Sequence, residues 1–349
     1  MGVNMAPNHL VALLQMFLTH RPLSLTWSLI LLAGLVLVPT VTRATGFDCG
    51  KAENVAETII CVDLVLSGLD DQLAADYREA QRLSLDPGTL RKDQSLWLAD
   101  RNGCTDRKCL VDAYGRQLKF LQETIRRESR LRSGEYRLEA LGQQCLPFAG
   151  DPPASKYDAC KLMEVRNLGL YEGQHWYAAQ YCLSQPLFPD ARCTARQALT
   201  DSMDGAVLIL SQARPGGPLR VVLRHGAEGG LPGDTAIYRN QGGLILDIPV
   251  YLAGTGRFNG SGYFIREGGR WEPIDFKSWQ RDLARRLPKG LGVWKGPWPD
   301  LRKLSFDSPL WQDSDANCCP TGGAVHADLG LENRRLFIRD LSVRRETPR

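Results

Sequence analysis

Apolar positions fall into three regimes along the chain. Residues 29–38 (LILLAGLVLV) form one short continuous apolar run. Beyond it, helical spacing takes over. Residues 53–63 read as a short helix with Val55, Ile59 and Ile60 on one side. Ser67 is the expected N-cap of the next helix, with Asp70 and Asp71 in its first turn. Leu69, Leu73, Tyr77 and Ala80 continue its stripe. Asp86-Pro87-Gly88 marks a turn. The helix after it carries Leu90, Trp97 and Leu98 and stops at Asn102-Gly103. A last helix runs through Leu110, Ala113, Tyr114, Leu118, Leu121 and Ile125. Each is apolar on one face only, which predicts a small antiparallel bundle with the leucines, Tyr77 and Trp97 in its core.

Residues 142–158, with Pro147, Gly150, Pro152 and Pro153, have the composition of a loop. From Asp204 the pattern turns to short β-like runs at 206–210, 219–223, 235–238, 244–252, 262–265 and 270–274. Trp279, Leu283 and Leu287 place one helix at 277–287, and further strands follow at 303–306, 324–331 and 335–338. The fold class is therefore α+β and multidomain: a disulfide-linked helical bundle, then an antiparallel β-rich domain with one helix, of sandwich or partly open barrel type. The expected division is a signal peptide at 1–44, a helical domain at 47–132, a cysteine-containing linker or subdomain at 133–204, and a β-rich domain at 205–345.

The apolar run has the length of a signal-peptide core. Arg21 precedes it, and Thr42-Arg43-Ala44 supplies a small residue for cleavage after Ala44. The first fifteen residues carry no Lys or Arg, which points to Met16 as the start of translation. A membrane span needs about 20 apolar residues. Membrane contact is thus expected only through an uncleaved signal, in a periplasmic or secreted protein. No cysteine sits at the cleavage point, so no lipid anchor is expected.

Ten cysteines lie beyond this segment: Cys49, Cys61, Cys104, Cys109, Cys145, Cys160, Cys182, Cys193, Cys318 and Cys319. An even number in an exported chain reads as a disulfide framework. Near neighbours give the simplest pairing: Cys49–Cys61, Cys104–Cys109, Cys145–Cys160 and Cys182–Cys193. Loops of this size stabilise by roughly 2–3 kcal/mol each in the chain-entropy model. The adjacent Cys318 and Cys319 either bridge each other or take separate partners, which would rewire two of those pairs. The rival reading, a zinc site, needs repeated C-x2–4-C units with further ligands, and these are not found.

Phe47-Asp48-Cys49 with Cys61, Leu69-Asp70 followed by Leu73-Ala74-Ala75-Asp76-Tyr77, Leu90, Gln94, Trp97-Leu98, Arg101 and Cys104, and Cys109-Leu110 with Tyr114 recur in this order and spacing over residues 47–128. This quarter of the chain resembles the N-terminal domain family of the lysozyme inhibitor LprI. The resemblance implies a helical, disulfide-linked, exported domain and, as partner, lysozyme or another envelope protein. Residues 287–323 are similar to uncharacterised exported bacterial proteins.

A net charge of +4 over 349 residues is too weak a field to argue for nucleic acid. Its distribution is uneven: residues 47–106 hold twelve acidic and six basic side chains, net −6, and residues 107–132 hold three acidic and eight basic, net +5. An acidic face of that kind suits a basic partner. Candidate chemistry is sparse. The glycines of 254–260 miss the dinucleotide spacing and lie between strands. Asp313, Asp315 and Asn317 match the start of a calcium loop, but Cys318 and Ala324 stand where glycine and glutamate are required. His175, His225 and His326 have no nucleophile signature beside them. His175-Trp176-Tyr177 is an aromatic cluster suited to a ligand or to burial. No catalytic, cofactor-binding or metal-ligating residue is assigned and no cofactor is expected. The leading expectation is an exported, non-enzymatic binding or inhibitor protein; inhibition of lysozyme, if that is its role, would come from occluding the enzyme's cleft. The alternatives are a cell-envelope hydrolase with its catalytic residues in the β-rich domain, and a structural envelope protein.

Overall fold

The computed structural model describes residues 47–344 except 149–158, 185–203, 228, 253–259, 295, 297 and 317. The signal segment, its cleavage site, Met16 and Cys193 lie outside the described residues.

The helical domain comprises α1 (Val55–Val62), α2 (Leu64–Leu83), α3 (Pro87–Asn102) and α4 (Arg107–Ser133). Each start is set by a side-chain cap: Asn54 for α1, Asp63 for α2, Asp86 for α3 with Pro87 in the first turn, and Asp106 for α4. The expected cap Ser67 instead lies inside α2 and is buried. Asp63 caps one turn earlier because its carboxylate accepts from the amides of Val65 and Leu66. Ile60, Leu66, Leu73, Leu90, Trp97, Leu110, Tyr114 and Leu121 form the core of the bundle. Leu98, expected in that core, is instead 37% exposed. Disulfides Cys49–Cys61 and Cys104–Cys109 tie the ends of the helices.

The β-rich part is three antiparallel sheets packed face to face, a sandwich extended by a third layer rather than a barrel. Sheet 1 is the meander β1 (Ala159–Tyr171), β2 (Gln174–Ser184), β3 (Asp204–Gln212) and β4 (Arg220–Ala227). Its first two strands fall within residues 133–204, the expected cysteine-containing linker or subdomain. Sheet 2 contains β5 (Gly230–Pro232), β6 (Ala236–Asn240), β7 (Gly243–Leu252), β8 (Gly260–Glu267) and β9 (Arg270–Pro273), with β7 pairing β5, β6 and β8. After α5 (Lys277–Arg286), sheet 3 runs β10 (Leu291–Val293), β11 (Ser305–Gln312), β12 (Ala324–Glu332), β13 (Arg335–Arg344) in spatial order.

These layers stack. On one face of sheet 1, Ala179, Tyr181, Leu208 and Leu210 pack against Leu85, Leu131, Leu141 and Leu146. On the other, Trp176, Ala178, Val207 and Ile209 meet Leu246, Ile248, Phe264 and Trp271 of sheet 2. The far face of sheet 2 (Ile245, Tyr263, Ile265) packs against Trp279 and Leu283 of α5 and Phe306, Leu329 and Ile338 of sheet 3. Every residue of β3 is buried, as a strand covered on both faces requires. Cys145–Cys160 joins the loop after α4 to β1, and Cys318 and Cys319 bridge one another in the turn before β12.

Candidate binding surface of the helical domain

On α3, Gln94, Trp97 and Arg101 recur at i, i+3 and i+7 and so share one face. That face points into the bundle and its polar members are satisfied there. Gln94 accepts from the amide of Gln117 at 3.0 Å. Trp97 donates its indole N–H to the Ala113 carbonyl at 3.2 Å and sits edge-on to Tyr114. Arg101 is 5% exposed. Its guanidinium lies 3.2 Å from Glu57 Oε1 and 3.7 Å from Asp70 Oδ1, donates to Asn102 Oδ1, and rests over the rings of Phe47 and Trp97. The Tyr114 hydroxyl donates to Asp70 at 2.6 Å, and burial, with that carboxylate beside it, pushes the phenol far up. Two carboxylates around one buried guanidinium form a pre-organised ionic node, the setting in which the planar Arg fork is preferred to Lys.

Above this node opens a cavity of about 480 Å³, lined in part by Phe47, Tyr77, Trp97 and Leu98. Asp70, Leu73, Tyr77, Gln94, Trp97, Leu98 and Arg101 all border it.

The outer surface of the same helices is unusually apolar. Among the described residues, Val55, Val62, Leu64, Val65, Leu96 and Leu98 are exposed in α1–α3, with only Leu138 and Leu170 as large apolar counterparts elsewhere. Val62 and Leu64 are each 67% exposed. Val55 and Val62, two turns apart, share a side of α1, and Leu64 and Val65 follow at once. Isolated exposed leucines are ordinary, whereas these side chains are concentrated in one segment. The excess of acidic side chains lies in this same segment.

The bundle is bolted to sheet 1 by a buried carboxylate. Glu128 of α4 is fully buried, accepts the Leu85 amide at 2.9 Å, and pairs with Arg127 and with Arg224 of β4 at 3.0 Å each. Arg132 donates to the carbonyls of Leu83 and Ser84. Neighbouring His225 is packed against Phe264 and Gly262; burial lowers its basicity against the opposing pull of Asp86.

The structure separates the other residues singled out in the sequence. Trp176 is buried between sheets 1 and 2, while His175 and Tyr177 line a surface cleft of about 720 Å³. His326 is exposed on sheet 3 between two carboxylates, Asp307 at 2.8 Å from Nδ1 and Asp328 at 3.4 Å from Nε2. Ser342 stands opposite His326 in register, but Asp328 faces the nitrogen that a nucleophile's hydroxyl would need. Asp315 accepts from the amides of Gln312 and Thr321 and from the Thr321 hydroxyl, so it holds the turn of the adjacent cysteines. Of the calcium-loop and glycine motifs, Asn317 and residues 254–259 lie outside the described residues. Among the described residues no group of three or more Cys, His, Asp or Glu side chains is placed to hold a metal ion. No helix among them is long and apolar enough to cross a membrane.

Asp247 of β7 is a site that sequence reasoning missed. It projects from sheet 2 on the side of Tyr263 and α5, with Oδ1 sealed and unpartnered. Desolvation, reinforced by Asp300 and opposed by Arg302, raises its carboxyl to about 7. The visible signal was a charge in the middle of an apolar strand, LILDIPVYL.

Fold and bonding together define a disulfide-bonded α+β protein with a four-helix bundle at one end of a stack of sheets. No protein-family model and no curated protein matches the chain.

Proposed function

We propose that this chain is an exported, non-enzymatic binding protein whose helical domain docks a basic protein. The observation that carries this reading is the coincidence of exposed Val55, Val62, Leu64 and Val65 with a net charge of −6 over residues 47–106. Apolar side chains supply area removed from water, and surrounding carboxylates select and steer a cationic partner. The four disulfides among the described residues and the expected signal segment support a periplasmic or secreted location, since such bridges persist in oxidising compartments. The resemblance of residues 47–128 to the lysozyme-inhibitor family supports lysozyme, a basic enzyme, as the partner. Inhibition would come from steric and electrostatic occlusion of its cleft.

The test is a lysozyme turnover assay on bacterial cell walls with the purified chain from residue 45 onward. Loss of turnover at micromolar protein, relieved by added salt, is expected. Full turnover and no calorimetric binding to lysozyme at low salt would reject it.

A further inference from the structure

We propose a second docking site at the opposite end of the molecule: the cleft between α5 and β13 receives an extended acidic peptide segment of a partner protein, added as a strand to the edge of β13. This site is independent of the helical-domain surface.

β13 is the terminal strand of sheet 3, so among the described residues one side of its backbone has no strand neighbour. The segment entering α5 covers the beginning of that side. The Asp275 amide donates to the Arg334 carbonyl at 2.7 Å, the Leu336 amide donates to Asp275, and the Ser278 hydroxyl donates to the Leu336 carbonyl. Backbone groups of alternate residues point the same way, so the next outward pair belongs to Ile338. There α5 and β13 enclose a cleft of about 670 Å³ that Ile338 lines. Native proteins blunt or cover such edges, and an edge left beside a groove is a template for strand addition.

Charge selects the occupant. Arg285 and Arg286 line the helix side of the cleft and Arg335 the strand side, against two carboxylates, Glu332 and Asp282, the latter shared between the first two arginines at 3.4 and 2.9 Å. Beyond the cleft, Lys277 and Arg281 precede Arg285 at four-residue spacing along α5. Over α5 and β13 together there are seven basic side chains and two acidic ones. A peptide strand satisfies outward N–H and C=O groups alternately, which a simple anion does not, and its carboxylates meet the arginine fork in bidentate geometry.

The test uses the full chain and a fluorescent decapeptide of alternating Glu and Val, followed by anisotropy. Three controls accompany it: the Lys–Val peptide, the Glu–Val peptide N-methylated at alternate residues, and inorganic tripolyphosphate as competitor. The Glu–Val peptide is expected to bind, and both altered peptides to bind at least about tenfold more weakly. An Arg285→Glu/Arg335→Glu variant with unchanged thermal midpoint should lose the same factor. Equal binding of the N-methylated peptide, or no binding of the Glu–Val peptide, overturns strand addition. Full displacement by tripolyphosphate at matched charge overturns it in favour of a simple anion cleft.

Discussion

Replacing Asp247 by asparagine should stabilise the protein at neutral and alkaline pH and leave it unchanged in acid. The carboxyl titrates at about 7 in the fold against an ordinary value of 3.8, mainly because burial penalises its ionised form. Well below its ordinary value of 3.8 the group is neutral in both folded and unfolded chains, and it costs nothing by this route. Between those values the folded state holds the proton more tightly, so stability falls as pH rises. Above about pH 7 the whole penalty is present. At roughly 1.36 kcal/mol per pKa unit the ceiling is about 4 kcal/mol. Asp247 keeps a minority of its surface exposed, and Arg302 offsets part of the loss, so a gain of about 2–4 kcal/mol is expected from the neutral isostere. The assay is urea unfolding by tryptophan fluorescence, disulfides intact, at about pH 4 and about pH 8. A variant no more stable than the parent at the higher pH, or equally stabilised at both, would refute the reasoning.

Other consequences are as direct. Glu128→Ala strands Arg224, Arg127 and the Leu85 amide in a buried junction, and should cost about 3–5 kcal/mol, read as a lowered thermal midpoint. Arg101→Leu leaves Glu57 and Asp70 without their cation and should destabilise by about 2–4 kcal/mol in the same melt, while Arg101→Lys recovers only part. The His326 imidazole should titrate above the ordinary histidine value by NMR, chiefly through its hydrogen bond to Asp307, and Asp307→Asn should bring the midpoint down. Gly205→Ala would place a methyl 2.5 Å from the Pro232 ring and 2.9 Å from the Gly230 carbonyl. With backbone on the far side unable to yield, a loss of about 1–3 kcal/mol is expected in chemical denaturation.

Helical spacing located the four bundle helices because each has a single apolar face and three of the four are introduced by Asp. Ser67 misled because the chain around it, LVLSGL, is apolar on both sides, whereas the true break is the lone Asp63 between two nearly continuous helices. Strands β1 and β2 escaped notice for a different reason. β1 carries irregularities between Leu162 and Glu164 and between Asn167 and Gly169, and each shifts the alternation by one residue, so the period of two never accumulates. The stacking of three sheets was equally invisible, although the unbroken apolar run of β3 is the trace it leaves. Of the candidate surface, the ring of residues around Arg101 was legible as a motif. The pairing of Glu57 and Asp70 with Arg101 was not, because it joins positions up to 44 residues apart. Glu128 and Arg224, 96 residues apart, are a stronger instance of the same limit.

Sheets 1, 2 and 3 succeed one another in space in the order in which they occur along the chain, with the helical bundle first. Each layer before the last is assembled from consecutive segments and offers an apolar floor on which the following stretch of polypeptide settles. Growth from the amino end can therefore proceed by accretion, with little search among distant partners. By the same token, a chain cut short between layers would keep one floor uncovered, and such a fragment should be sticky rather than merely smaller.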